Sequence, residues 1–420
     1  MQIASAFKSL GPGLLFAGAA VGVSHLIQST RAGATFGYEL VWAVLLINIL
    51  KYPFFEIGQR YTTVMGESII RGYSRLGSWA VKLYLVLNVI LSIFTIAAIT
   101  FVASAMFNFL YFNFTGNTLS NEITSIVYLI IIVGILYIGK YSVFENFVKY
   151  LTLSLSLLTI VSFVIALSTN SQPVAEFVPP VIMNQAGIGF LLALMGWMPA
   201  PLELSSWTSM WSLEKDKADK TKRSLKSSLF DFNVGYIVSI VLAICFLGLG
   251  AAVMYGSGET ISGKAVGFTT QLLSLYTKVI GSWSKTIIAF IMFATMLSTV
   301  ITCVDAYPRS LAEALGIIRN DNTDKSKRKY MLGFQLTIAT FSSAIILFFT
   351  QSLTLFVDLV TVISFLSSPI IALLNFLIVQ KDFFPVEHKP ARWLNILSYV
   401  GIVFFFGFAF LFLYSKLFMV

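Results

Sequence analysis

Apolar stretches of about 20 residues recur along the chain, and their length constrains the fold more than any other feature. A helix rises about 1.5 Å per residue, so about 20 apolar residues cross a bilayer core of about 30 Å. Eleven such stretches are present, roughly at 12–31, 38–58, 83–111, 121–139, 142–168, 186–212, 229–255, 284–307, 331–350, 353–379 and 394–416. The third exceeds a perpendicular crossing and predicts tilt or extension beyond the membrane. Only 11% of the residues are charged, against about 25% in soluble domains. The expected fold class is an all-α polytopic membrane protein, residues 1–420 forming one integral domain whose first partner is the lipid bilayer.

Loop charge orients these spans. With the N-terminus cytoplasmic, 22 of the 28 Lys and Arg residues fall on the inner side, while the outer segments 112–120 and 169–185 hold none. This is the positive-inside pattern, and it needs an odd number of spans, which puts the C-terminus outside. The net charge of +9 is therefore an orientation signal, and the cluster KDKADKTKRSLK at 215–226 a contact for anionic lipid, not a nucleic-acid site. One lysine, Lys51, falls inside the second span and belongs to neither side. Cys245 and Cys303 sit in apolar runs with no metal or redox spacing and read as small core residues. No cleavable signal precedes the first span, and the expected location is a bacterial plasma membrane. No nucleophile–base set or metal-site spacing is present, so an enzyme is not expected.

Two spans are interrupted. The first carries Gly18 and Gly22 at mid-depth, followed by Ser24 and His25; the sixth clusters Gly196, Pro199 and Pro201. Prolines remove backbone donors and clash with the preceding turn, so an unwound segment is expected near 196–201. Inside a membrane such breaks are tolerated where the freed groups meet protein, water or a ligand. The two lie five spans apart, which predicts an inverted-repeat transporter with its site at the breaks. Repeat one would cover about 12–168, repeat two about 186–379, with the helix at about 394–416 appended.

The stretch GPGLLFAGAAVGVSHLIQSTRAGATFGYELVWAVLLIN resembles the first two spans of the Nramp family of proton-coupled divalent-metal transporters. GPGLL at 11–15 and FGYELVWAVLLIN from Phe36 carry the match, the sixth span has the family's M-P pair at Met198–Pro199, and LSTVITCVDAYPRSLAEAL is similar more loosely to its eighth. The resemblance implies the inverted-repeat fold shared with leucine and amino-acid/polyamine/organocation transporters, working by alternating access. It also implies metal-site positions, and the departures fall on them. Where the family has D-P-G-N, this chain has Gly22-Val23-Ser24-His25. The family's metal-binding methionine falls on Met198, and the residue whose carbonyl assists it on Met195. The two histidines that follow in the family are here Ala200 and Ser205, and the third span has no carboxylate for protons.

A dehydrated divalent cation usually needs a carboxylate. The set implied here, Gly22, Ser24, His25, Met195 and Met198, suits a soft or borderline metal better than Mn²⁺ or Mg²⁺, with His25 and Met198 as its ligands. His25 reads either as ligand or proton carrier, or as a neutral ring bonded to a carbonyl of the unwound sixth span. Glu203 would lie about 7 Å beyond Met198 if the segment were helical. It reads as a proton-handling or cation-binding group, or as a carboxylate exposed in an inward vestibule or paired with a lysine. Asp231, Asp305 and Asp358, near span ends, read as solvated or capping carboxylates, and FFFGFAFLFLY in the last span as lipid-facing. The expected function is secondary transport of a metal cation, with protons as the coupling ion and no bound cofactor. The alternative is a carrier of a small polar organic solute. A membrane sensor ranks third, since no loop or tail exceeds about 30 residues. Oligomeric state and transport direction leave no mark on the sequence.

Overall fold

Hydrocarbon offers backbone groups no water, so a spanning chain satisfies them internally. The computed structural model describes residues 11–138, 142–168, 177–259, 261–349 and 352–418, and among these every regular element is a helix. Lys8, Lys140 and residues 169–176 of the outer segment lie outside the described residues, as do the side chains of Lys149 and Lys416.

The helices are α1 (Pro12–Ala20), α2 (Ser24–Phe36), α3 (Val41–Met65), α4 (Ile69–Leu76), α5 (Ser78–Thr115), α6 (Asn121–Ile138), α7 (Ser142–Ala166), α8 (Gln185–Trp197), α9 (Leu204–Ala218), α10 (Leu225–Met254), α11 (Ala265–Ile280), α12 (Lys285–Ile318), α13 (Asp324–Phe349), α14 (Leu353–Gln380) and α15 (Arg392–Phe418). Among the described residues eight are long and apolar enough to cross a membrane, and the bent pair α1–α2 makes a ninth. The other two expected spans are α7 and the interrupted pair α8–α9. At 38 residues, α5 extends about 57 Å, well past a bilayer core, as its sequence length predicts.

Position in the bundle follows from which faces are apolar. In α6, α13 and α15 only 22% of the spanning window is buried, against 61–67% in α3, α5, α10, α12 and α14. The first group is the rim that meets lipid; the second, with α1–α2 and α8–α9, forms the centre. The last span is not wholly lipid-facing, as its composition suggested. Phe406 and Phe410 face outward, but Phe405 is buried between Phe54 and Phe365.

Span 1 packs against α10 closely enough that side chains are excluded at the crossing. A Cβ on Gly33 would lie 1.8 Å from the Leu247 carbonyl oxygen, and one on Gly235 1.9 Å from that of Gly13. The end expected to be cytoplasmic is laced by ion pairs: Arg223–Asp216 at 2.5 Å, Arg75–Glu67 at 2.8 Å, and Arg309 bridging Asp305 and Glu214. Asp305 is thus paired across one helical turn rather than simply solvated.

Candidate functional site

The first break follows Ala20. Val21, at φ −75° and ψ 67°, leaves the helix, and the Gly22 amide turns back to the Ala20 carbonyl at 2.8 Å. The chain resumes as a π-helical turn over Ser24–Ser29 before tightening into α-helix, and the two axes differ by 46°. Gly22 lies in this break, with space for a Cβ only 3.1 Å from the Thr299 methyl of α12. Gly18, expected at the break, is instead inside α1, and a Cβ there would meet nothing within 4 Å.

The second break spans 198–203, between α8 and α9. Pro199 and Pro201 have no N–H, so in a continuous helix the carbonyls of residues 195 and 197 would already lack their donors. Met198 is extended, at φ −93° and ψ 125°. Gly196, expected to help unwind the span, stays in the last turn of α8. Its smallness serves packing, because a Cβ would lie 2.0 Å from the Thr361 carbonyl of α14. The freed carbonyls are taken by a residue that sequence reasoning passed over. Lys51 of α3 is buried, and its Nζ donates to the carbonyls of Met195 (2.9 Å), Gly196 (2.7 Å) and Ala200 (3.1 Å). The signal was a lone lysine that belonged to no loop.

Between the breaks lies a cavity of about 40 Å³. Gly22, Ser24, Trp197, Pro199 and Ala200 form its wall from the two broken spans, and Thr95, Thr299, Cys303 and Trp207 close it from α5, α12 and α9. Cys303 is therefore a wall residue as well as a buried one. Among the described residues, the indole N–H groups of Trp197 and Trp207 have no hydrogen-bond partner.

The other expected site residues stand behind this wall. His25 lies one residue past Ser24 but turns away: Nε2 meets the Ser239 carbonyl at 2.9 Å and Nδ1 the Ser24 hydroxyl at 2.9 Å. A carbonyl only accepts, so Nε2 carries a proton. The Ser24 hydroxyl, 2.8 Å from the Ala20 carbonyl, has one proton for two neighbours. The carbonyl that holds His25 belongs to α10, not to the unwound sixth span. Met195 and Met198 are buried and do not line the cavity. Glu203 is buried rather than exposed in a vestibule. Its Oε1 accepts from the Tyr307 hydroxyl at 2.8 Å, its Oε2 has no partner among the described residues, and its charge acts on Lys51. Tyr307 also reaches Thr95 of the cavity wall, at 3.3 Å. The segment before Glu203 is not helical, so the separation from Met198 expected of a helix does not apply. Among the described residues no three His, Cys, Asp or Glu side chains cluster to hold a metal.

Two carboxylates serve structure. Asp231 accepts from the amides of Gly11 and Gly13, both at 3.0 Å, and so caps α1 from α10. Asp358 of α14 binds Arg31 of α2 at 2.6 Å and Gln28 at 2.9 Å.

This geometry has counterparts. A manganese transporter of Eremococcus coleocola superposes with a TM-score of 0.69 over 97% of this chain and 87% of its own, at 13% identity. Mhp1, a nucleobase-cation-symport-1 family transporter seen closed with bromovinylhydantoin bound, gives 0.60 over 97% and 92%, at 12% identity. The shared fold is the inverted-repeat arrangement with two broken helices. In sequence, an uncharacterized protein of Pasteurella multocida is 36% identical over 415 residues, 97% of this chain and 92% of that one. The profile described as natural resistance-associated macrophage protein-like matches residues 13–415. The chain belongs to the Nramp family, a family of membrane transporters and not of enzymes.

Proposed function

We propose that the protein is a secondary transporter that carries a metal cation by alternating access of two repeats, about 12–168 and 186–379, with its cargo in the cavity between the breaks. The observation that carries this reading is the cavity's place and size: it is bounded by both broken spans and measures about 40 Å³. A water site takes about 10–15 Å³ on this measure, so an ion with one or two retained waters fills it. The manganese cargo of the Eremococcus protein supports the class of substrate. The ligand set departs from the family's. Ser24, Thr95 and Thr299 offer hydroxyls, Cys303 a sulfur, and the unwound backbone carbonyls, without a carboxylate at the wall. Gly22 makes room, while His25, Met195 and Met198 support the wall from behind. The hydroxyls and carbonyls are hard donors, so a preference for a soft or borderline ion over Mg²⁺ rests on the Cys303 sulfur. Glu203, joined to the wall through Tyr307 and Thr95, is the proton-handling group in this reading.

A second reading, a small organic solute, draws on the two unpartnered indole N–H groups at the wall. The small volume supports the cation reading over it, since pockets for organic ligands run to about 300 Å³ or more. Calorimetry on the purified protein with Zn²⁺, Cu⁺, Mn²⁺ and Mg²⁺ tests the choice. Saturable heat with Zn²⁺ or Cu⁺, weakened in Cys303→Ser and nearly absent with Mg²⁺, is expected. Silence from every metal overturns the cation reading.

A further inference from the structure

The second break contains a cation that is part of the protein. Three carbonyl oxygens, from Met195, Gly196 and Ala200, surround the Lys51 Nζ at 2.7–3.1 Å. An ammonium has three N–H donors and a neutral amine two. Three carbonyl acceptors around one nitrogen are therefore satisfied together only by the charged form. Rings of backbone carbonyls are also how proteins replace the hydration shell of a free monovalent cation. The Met195 carbonyl loses its helical donor to Pro199, and the extended chain from Met198 onward takes those of Gly196 and Ala200 out of helical register with theirs. Glu203, buried and with no partner for Oε2 among the described residues, lies near enough for its charge to act on Lys51 without forming an ion pair. Tyr307 of α12 donates to Glu203, Tyr84 of α5 and Cys303 of α12 lie within reach of its charge, and Tyr236 of α10 donates to the Asn48 carbonyl one turn before Lys51. Among the described residues, Glu203 is the acidic side chain whose charge acts on Lys51.

We propose that Lys51 is a tethered stand-in for a bound monovalent cation, seated in a carbonyl cradle of the sixth span, so that the break stays open with no free ion there. The cradle is separate from the cargo cavity, although Ala200 belongs to both. The transporter thus needs no Na⁺ or K⁺ at this place, and cargo meets a break that is already held. Removing the side chain while leaving the carbonyls turns the cradle into a binding site for K⁺ or a small alkylammonium ion.

Thermal unfolding of the purified protein in detergent, which needs no cargo, tests this. Lys51→Ala is expected to unfold several degrees below the wild type. Added K⁺ or n-propylammonium should restore much of that loss with a saturable midpoint, while choline at equal ionic strength should not. The wild type should respond equally to all three salts. Lys51→Arg, which keeps charge and donors, should fold and stay insensitive to the ions, and it keeps the test valid if Lys51→Ala does not fold. Rescue by choline as well, no rescue by any ion, a wild type that itself responds to K⁺, or an ion-dependent Lys51→Arg would overturn the proposal. Because the readout is unfolding, a protein that binds no metal can still show the rescue, and one that binds metal can still fail it.

Discussion

At the residue scale, the chain separates two uses of glycine that look identical in sequence. Gly18 and Gly196 both interrupt apolar helices, yet neither makes a break. Open space surrounds Gly18, whereas Gly196 lies where a Cβ would penetrate the backbone of α14. Gly18→Ala should therefore be neutral or stabilising by up to about 1 kcal/mol, the helix-propensity gain. Gly196→Ala should cost about 1–3 kcal/mol by overpacking. Unfolding midpoints of the two variants should move apart; equal shifts would mean that α8 and α14 do not touch as described. Lys51 and His25 teach the same point about ionisable residues. Each was visible as an oddity inside a span, but only the partners show that one faces the broken backbone and the other faces α10.

At the scale of elements, the short α1 exists because another helix completes it. Nine residues are too few for a helix to hold itself, and its first amides have no intrahelical acceptor. Asp231 takes two of them from α10, with Arg223 at 3.5 Å. In Asp231→Ala these amides lose their acceptor, at about 1–3 kcal/mol for each one left buried. Hydrogen exchange over 11–17 should accelerate more than exchange in α5. Unchanged exchange there would show that the cap is dispensable. The same logic explains why the carboxylates near span ends were readable as caps in kind but not in partner. A sequence shows that an acidic residue sits near a span end; it does not show which distant amide or guanidinium is waiting.

At the scale of the whole molecule, tied side chains stand on both sides of the cavity. Toward the inner end lie Glu203, Tyr307 and Trp207, whose ring meets that of Tyr307 edge-on at 4.6 Å. Toward the expected outer end, Arg31 sits seven residues past Ser24, about 10 Å along the helix, and ties α2 to α14 through Asp358. Phe190 of α8 covers the guanidinium at 5.1 Å. Breaking this tie should open the outer route first. In a Cys245→Ala background, Cys303 on the cavity wall should react slowly with an impermeant thiol reagent added outside, and several-fold faster in Asp358→Asn. No acceleration would show that this tie does not guard the outer route.

Apolar length, loop charge and the proline cluster determined the membrane class, the span register and the approximate place of both breaks. These are local properties, set by the cost of unsatisfied backbone in hydrocarbon, and each can be read within one segment. The register also made the absent aspartate at Gly22 legible. The tertiary structure decided what fills the breaks: a lysine from α3 on the carbonyls of the sixth span, a histidine turned toward α10, and a cavity walled by Cys303 and hydroxyls. Those outcomes depend on which distant segments meet, because a buried charge or carbonyl takes whatever partner the packing brings within about 3 Å, and one strand of sequence carries no record of that meeting.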